Sequence, residues 1–374
     1  MIFAGVLILS ALVYGIFICR FTRAWTSLPI QYNNANFKPA EMLSVIVAAR
    51  NEANRIPGLL KALARQDYPK NLFEVIIVDD HSDDNTVNEI NAFLEKHPDL
   101  PFKLLKSKEL EKPQGKKHAL NAGIKKARGN YIITTDADCH MGSRWLASIA
   151  SCISLQQPEM IIGPVLISGE NGFFQKLQVL EFLSLQGSTG GAAALSKPIM
   201  CNGANLAFKK DVFLGANGYE HDLHLVSGDD MFLMHRIKED KTHTICYLKN
   251  LAAVVYTSPE KSLKGFFRQR GRWAGKFRDY SDPFTFYTAL VVGTFSLLLL
   301  IGLASLPWQE PLVRWTVVGA WLFKGLVDFP LLFSAAGFFR KKKLLVYYFP
   351  AFVLYPFYAT ASVFAGLRTE RPWR

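Results

Sequence analysis

Half of the residues are hydrophobic and they gather at the two ends of the chain, a segregation that constrains the fold more than any other feature. Met1 to Cys19 is uncharged and just reaches the roughly 20 apolar residues needed to span a bilayer core. No basic segment precedes it and no clear small-x-small cleavage site follows, so it reads as a retained membrane helix rather than a signal peptide. Arg20 and Arg23 beyond it predict that the chain enters the cytoplasm there. Near the other end, Phe284–Leu306 and Leu344–Leu367 carry no charge, whereas Leu312–Phe333 contains Arg314, Lys324 and Asp328. Lys324 and Asp328 are one helical turn apart, so each reduces the other's cost in a membrane. Counting crossings puts the Arg340–Lys343 cluster inside, as positive charge requires. The tail after Arg368 then falls outside, unless Pro350 and Pro356 make the last segment broken or re-entrant.

Between these ends the pattern alternates. Leu43–Ala49 and Phe73–Val78 read as buried strands, Ile56–Gln66, Thr86–Lys96 and Lys117–Ala127 as helices, and Phe102–Leu105 as a further strand. Then come Tyr131–Thr135 as a strand, Met160–Ile167 as one strand, and Phe173–Leu185 as an apolar-rich helix. Asn205–Phe208 and Thr244–Tyr247 read as short strands. Strands alternating with helices of about ten residues predict βαβ units and a mostly parallel sheet.

The strand beginning at Tyr131 ends in two acids, Asp136 and Asp138, one residue apart. In an open parallel sheet, ligands bind beyond the carboxyl ends of the strands. Two carboxylates there suit Mg²⁺ or Mn²⁺ holding a diphosphate; the plain alternative is a solvated acidic turn. A second acidic strand end, Asp79-Asp80, offers carboxylates to a base or ribose, or else turn chemistry with Thr86 as a helix cap. Arg50-Asn51-Glu52 after the first strand suits a nucleobase edge or a solvated loop. Gln114-Gly115-Lys116-Lys117 puts basic groups at a helix start, where backbone N–H groups also attract phosphate, or forms a basic turn. Ser227-Gly228-Asp229-Asp230 offers a general base or a capping box. His140 reads as a loop histidine, and His221 and His224 have no partner in the pattern.

Glu260 to Arg278 carries seven basic side chains against one Glu, half of the net charge of +12. On a helix Leu263, Phe266, Phe267, Trp273 and Phe277 share one arc of about 120°, which predicts a helix in the membrane interface. Arg270 falls on that apolar arc. Gln269-Arg270-Gly271-Arg272-Trp273 offers Arg272 to a departing diphosphate and Trp273 to a sugar ring, or uses both as interface anchors. The overall basicity predicts anionic partners: phospholipids, nucleotide diphosphates or nucleic acid, the last the weakest of the three because no zinc-finger spacing, RNA-binding signature or long basic arm occurs, so no nucleic acid is expected. Five scattered cysteines with no Cys-x-x-Cys pair predict reduced thiols in a cytosolic domain.

Taken in order, Ala49-Arg-Asn-Glu52, Val78-Asp-Asp80, Gly115-Lys116, Asp136-Ala-Asp138, Gly228-Asp-Asp230 and Gln269-Arg-Gly-Arg-Trp273 resemble the family 2 glycosyltransferases with a GT-A fold. The resemblance runs over about residues 43–275 and points to the membrane-bound branch of cellulose, hyaluronan and poly-N-acetylglucosamine synthases and ceramide glucosyltransferases. It implies an α/β, Rossmann-like, mixed and mostly parallel sheet flanked by transmembrane and interfacial helices. The expected organisation is a membrane helix over 1–19, a cytosolic GT-A domain over 43–258, an interfacial helix over 260–278 and about three membrane helices over 284–367. The resemblance implies that Asp80 contacts the nucleoside, Asp138 the metal and diphosphate, and Asp136 the sugar, with Asp230 as base. It adds Ala48, Arg50, Glu52, Asp79 and Lys116 to the donor site. Gln269 and Arg272 are expected to close over the diphosphate, with Trp273 and Asp229 at the acceptor. Gly-Asp-Asp stands where many relatives carry Glu-Asp, and the membrane part is smaller than in the polymer-exporting synthases.

The expected activity is inverting, Mg²⁺- or Mn²⁺-dependent transfer from a nucleotide sugar, UDP-linked, to a lipid-linked or saccharide acceptor. The expected place is the inner membrane, as a multi-pass protein with its catalytic domain in the cytoplasm. The alternatives are a processive polysaccharide synthase, separated by product chain length, and a non-catalytic nucleotide-sugar-binding scaffold, which has no need of a base and a metal pair together.

Overall fold

The computed structural model describes residues 1–31, 37–106, 115–220 and 228–368. Gln114, His221, His224, Ser227 and the tail after 368 lie outside the described residues. The first elements are α1 (Ile2–Ser27), β1 (Leu43–Ala49), α2 (Ile56–Ala64), β2 (Phe73–Asp79), α3 (Thr86–Lys96) and β3 (Phe102–Leu105). They are followed by α4 (Lys116–Lys126), β4 (Tyr131–Asp136), β5 (His140–Met141), α5 (Trp145–Gln156), β6 (Met160–Ile162) and β7 (Val165–Ile167). Next come α6 (Phe173–Ala194), β8 (Leu206–Lys209), α7 (Lys210–Gly215), α8 (Asp229–Glu239), β9 (Ile245–Tyr247) and β10 (Val255–Thr257). The chain closes with α9 (Leu263–Ala274), α10 (Pro283–Ser305), α11 (Pro311–Phe338) and α12 (Tyr348–Arg368).

Among the described residues these elements form two compact units: Met1–Leu28, Gly169–Ile199 and 259–368 in one, Pro29–Ser168 and Met200–Ser258 in the other. In the second unit a seven-stranded sheet runs β3-β2-β1-β4-β8-β6-β9, and a three-stranded sheet runs β5-β10-β7. β1, β2, β3 and β4 are parallel, β8 is antiparallel to both its neighbours, and β6 and β9 are parallel again. Strands covered on both faces become continuous hydrophobic runs, and nearly every residue of β1 and β2 is buried. The strand order reverses at β1, where β2 lies on one side and β4 on the other. Ala48 pairs with Val78 and with Asp136, so the loops after β1, β2 and β4 leave from one sheet end at the place where α/β sheets bind ligands.

One expected strand is two. Met160–Ile167 is interrupted by Gly163-Pro164, which breaks the ladder, and its halves go to different sheets. Asn205 ties this break together: its Oδ1 accepts from Trp145 Nε1 at 3.0 Å, and its Nδ2 donates to the Pro164 and Ala253 carbonyls at 2.8 Å.

The other unit collects the long apolar helices. Four spans are long and apolar enough to cross a membrane among the described residues: Ile2–Ser27, Pro283–Trp308, Pro311–Phe338 and Lys342–Gly366. They support a multi-pass membrane protein. The first helix continues past Cys19 through Arg20 and Arg23, both exposed. The last is not broken: Pro350 sits in the first turn of α12, where a missing N–H costs nothing, and Pro356 is carried within the helix. α6 is longer than its apolar pattern, because Gly187-Ser-Thr-Gly-Gly-Ala-Ala-Ala194 continues it. Those small residues admit α1 closely; a Cβ on Gly191 would lie 2.4 Å from the Phe21 carbonyl oxygen. Lys324, 1% exposed, donates to Asp328 as expected, and Tyr14 Oη on α1 also donates to Asp328 at 2.5 Å.

Candidate active site

Each acidic strand end is built by the loop that follows it. After β1 the backbone turns through Asn51 in the left-handed region (φ 57°), and after β2 through His81 (φ 59°). The two loops stitch together: Asn51 N–H donates to Ser82 Oγ at 3.1 Å, Asp83 N–H to Asn51 Oδ1 at 2.8 Å, and Glu52 N–H to Thr86 Oγ1 at 2.8 Å. Asp84 accepts from the Ala53 and Thr86 amides at 3.1 and 2.9 Å, so this acid is turn and cap chemistry. Asp79 Oδ1 accepts from the Ser82 amide at 3.3 Å.

Asp80 is different. It is 1% exposed, and its Oδ1 accepts from the Gly115 amide at 3.2 Å and faces His81 Nδ1 at 3.2 Å. Its buried Oδ2 accepts no hydrogen bond among the described residues, with the Arg50 guanidinium 4.0 Å away. A buried acceptor left without a donor is costly, so this oxygen suits an incoming N–H.

Asp136 and Asp138 leave β4 beside Cys139, and their ligand atoms all lie within 4.8 Å of one another. Burial, then the neighbouring Asp136 carboxylate, raise the Asp138 carboxyl above its ordinary range. Burial raises Glu52 too; Arg55, 3.2 Å from it, opposes the rise, and Asp138 and Asp136 add to it. Burial and both aspartates hold the Cys139 thiol well above its ordinary range. The donors are carboxylate oxygens, which fit a hard divalent cation such as Mg²⁺ or Mn²⁺. His140 is not part of this cluster; it lies on β5 with its ring stacked on Tyr256, centroids 5.2 Å apart.

The helices α4 and α8 bring the remaining charges. Lys116 opens α4 after Gly115 (φ 134°), while Ala119, Leu120 and Ile124 bury the helix's inner face. Its Nζ lies 2.7 Å from Asp136 Oδ1 and 3.4 Å from Asp229 Oδ2. Burial would lower this ammonium's pKa, but the carboxylates of Asp136, Asp229 and Asp230 carry it well above the ordinary value. Asp229 and Asp230 open α8 after Gly228 (φ 90°), at the helix end that favours negative charge. Asp230 Oδ2 accepts from the Gly203 amide at 3.1 Å and Oδ1 from the Met231 amide at 2.8 Å.

Two residues of this cluster were not legible beforehand. Gly203 sits where the acids meet: a Cβ there would lie 3.2 Å from Asp229 Oδ2 and 3.7 Å from Lys116 Nζ. Its carbonyl accepts from Thr134 Oγ1 at 2.7 Å, fixing it to β4. A glycine between two asparagines just before a strand was the available signal. Tyr219 is 1% exposed, and burial and then the Asp229 carboxylate push its phenol far up.

The sheet unit thus brings together Ala48, Arg50, Glu52, Asp79, Asp80, Lys116, Asp136, Asp138, Asp229 and Asp230 around the ends of β1, β2 and β4. Gln269, Arg272 and Trp273 lie on α9, in the unit of long apolar helices. There Arg272 is exposed and Gln269 and Trp273 are half-buried.

The profile described as glycosyl transferase family 2 matches residues 44–214, and that of glycosyl transferase family group 2 matches residues 131–365. Glycosyltransferase AglE of Haloferax volcanii is 29% identical over 189 residues, 50% of this chain and 59% of its own length. Poly-beta-1,6-N-acetyl-D-glucosamine synthase of Staphylococcus epidermidis is 26% identical over 244 residues, 63% of this chain and 54% of that protein. The chain therefore spans a little over half the length of these curated relatives. Among solved structures, mannosyltransferase PcManGT from Pyrobaculum calidifontis, in complex with GDP-Man and Mn²⁺, is similar with a TM-score of 0.61 at 21% identity. The match covers 91% of this chain and 99% of that one. At that identity the likeness shows a shared fold, the mixed, mostly parallel GT-A (Rossmann-like) sheet.

Proposed function

Because this chain belongs to glycosyl transferase family group 2, we propose that it is an inverting, metal-dependent glycosyltransferase acting at the inner membrane, with its sheet unit in the cytoplasm. Its donor is a nucleotide diphosphate sugar, UDP-linked, and its acceptor is a hydroxyl on a lipid-linked or membrane-associated molecule. The observation that carries the reading is the bridge made by Lys116, whose ammonium joins Asp136 of the Asp-x-Asp pair to Asp229 of the Asp-Asp pair. Two motifs far apart in sequence thereby face one site.

Asp136 and Asp138 would hold the divalent cation, which when bound neutralises and polarises the diphosphate leaving group. Asp80 offers its unpaired Oδ2 to a base N–H, with Arg50 alongside. Ala48 lets the backbone of β1 approach the ligand, and Glu52 and Asp79 close the same rim. Asp230 is the base. Hydrogen bonds from the Gly203 and Met231 amides aim its carboxylate. The acceptor hydroxyl gives its proton to Asp230 as its oxygen bonds to the anomeric carbon. The bond from that carbon to the diphosphate oxygen breaks on the opposite face, and the nucleoside diphosphate leaves. Asp229 orients the acceptor, and Gln269, Arg272 and Trp273 engage the diphosphate and acceptor. The four apolar spans and the basic α9 support an acceptor that resides in the membrane.

The test is Asp230→Asn in purified protein. The variant is expected to bind the nucleotide sugar like the parent while turnover falls by about 10²–10⁴-fold. Normal turnover in a folded variant would remove Asp230 from the reaction.

A further inference from the structure

Arg270 interrupts the apolar arc of α9, and its surroundings explain why. It is 4% exposed. Its Nε donates to Glu181 Oε1 at 3.0 Å and Oε2 at 3.1 Å, and its Nη2 donates to Oε2 of the same carboxylate on α6. The Glu181 side chain is itself only 10% exposed. The guanidinium lies 4.3 Å from the Trp273 ring centroid, 4.5 Å from that of Phe266 and 5.6 Å from that of Phe182. Its Nη1 donates to the side-chain carbonyl of Gln269. With three of its five N–H donors on Glu181 and Gln269 and its plane among three rings, this buried guanidinium serves packing within its own unit. Within Gln269-Arg-Gly-Arg-Trp273 the roles therefore alternate: Arg270 and Gly271 are buried, while Arg272 is exposed. α6 grips the segment at a second point, since Gln178 Nε2 donates to the Glu260 carbonyl and Gln178 Oε1 accepts from the Glu260 amide, both at 3.0 Å.

We propose that Glu181 is a positioning residue for the transfer reaction: through Arg270 it fixes the Gln269 side chain and the Trp273 ring on α9 and leaves Arg272 exposed for an anionic group. The proposal rests on the glycosyl-transfer reading above. A guanidinium offers five donors in one fixed plane, so a single carboxylate gripping its fork sets the direction of the whole group and of whatever lies on it. Apolar side chains of similar volume would fill the space without setting that plane. A buried ion pair is often replaceable by apolar residues with no loss of stability, whereas removing one partner is strongly destabilising. That contrast separates positioning from mere structure.

The experiment compares the full chain in detergent with Glu181→Gln, Arg270→Met and the double variant Glu181→Leu/Arg270→Met. Thermal melting, nucleotide release from a panel of UDP- and GDP-sugars with host lipid extract, and amide exchange over Leu263–Ala274 are read together. Each single variant is expected to melt lower. The double variant is expected to recover the parent's melting temperature, yet to turn over about 100-fold more slowly, with faster exchange confined to α9. Recovery of turnover along with melting would overturn the proposal, leaving the pair a stability element. Should the parent release no nucleotide from any donor, the transfer reading fails by itself. The role in transfer falls with it, and the exchange arm decides separately whether the Glu181–Arg270 pair orders α9: unchanged exchange across α9 in the stably folded double variant overturns that too.

Discussion

Replacing Lys116 by methionine removes the cation that joins the two acidic pairs while keeping most of the side chain's volume. At an effective dielectric of about 20, its attraction is about 6 kcal/mol to Asp136 at 2.7 Å and about 5 kcal/mol to Asp229 at 3.4 Å, before desolvation. Burying the ammonium offsets much of this, and the Asp136 side chain, 37% exposed, is screened by water. A net loss of about 1–3 kcal/mol remains, or a fall of about 1–4 °C in melting temperature for a chain of this size. Because the ammonium's pKa is raised, its contribution is fully present below the ordinary lysine pKa, so the loss is flat from about pH 6 to 9. Scanning calorimetry in EDTA reads the loss directly. Titrating Mn²⁺ back should stabilise the variant more than the parent, since the carboxylates no longer have Lys116 between them. A variant that melts with the parent in EDTA and gains no more from Mn²⁺ would refute the idea that Lys116 holds these acids together.

Two other substitutions follow from buried charges. Burial alone would raise Glu74, but the Arg128 amide, the Ser44 hydroxyl, the Arg128 guanidinium and Lys103 together hold it below the ordinary carboxylate range. Its stabilisation is therefore present above the unfolded pKa of about 4.3 and lost as pH falls through the lower folded value; Glu74→Gln should cost about 1–3 kcal/mol at pH 7 and flatten the melting-versus-pH curve below pH 5, and an unchanged curve would deny it that role. Asp328→Asn takes the carboxylate partner from the buried Lys324, at a cost of about 3–5 kcal/mol, whereas Tyr14→Phe/Lys324→Met/Asp328→Leu, which removes the Tyr14 hydroxyl together with its acceptor, should melt near the parent in detergent; equal losses in both would show that the ion pair itself is stabilising.

Much of the sheet unit can be read from the chain because buried parallel strands are continuous apolar runs, and β1, β2 and β4 each stop abruptly at polar residues. The second sheet could not be read, since β5, β7 and β10 are two or three residues long and carry no period. Gly163-Pro164 was visible but was passed over inside a longer apolar run. Among the strand-end acids, composition does not separate Asp84, which accepts backbone amides of its own turn and of the neighbouring loop, from Asp80, whose buried Oδ2 accepts no hydrogen bond among the described residues. Gly203 went unseen because its contribution is an absent side chain. Arg270 was visible as a flaw in an amphipathic arc, but its partner Glu181 lies on another helix, and no local pattern links the two.

The central claim is that Asp136 and Asp138 support metal-dependent transfer from a nucleotide sugar. The most direct measurement uses the purified full chain in detergent with host lipid extract, Mn²⁺ or Mg²⁺, and a panel of nucleotide sugars, reading nucleotide release against Asp138→Ala. The account predicts lipid-dependent release from one donor, abolished by EDTA and by the substitution. Tight donor binding with no release in any lipid or saccharide mixture, or release undiminished in Asp138→Ala, would contradict it.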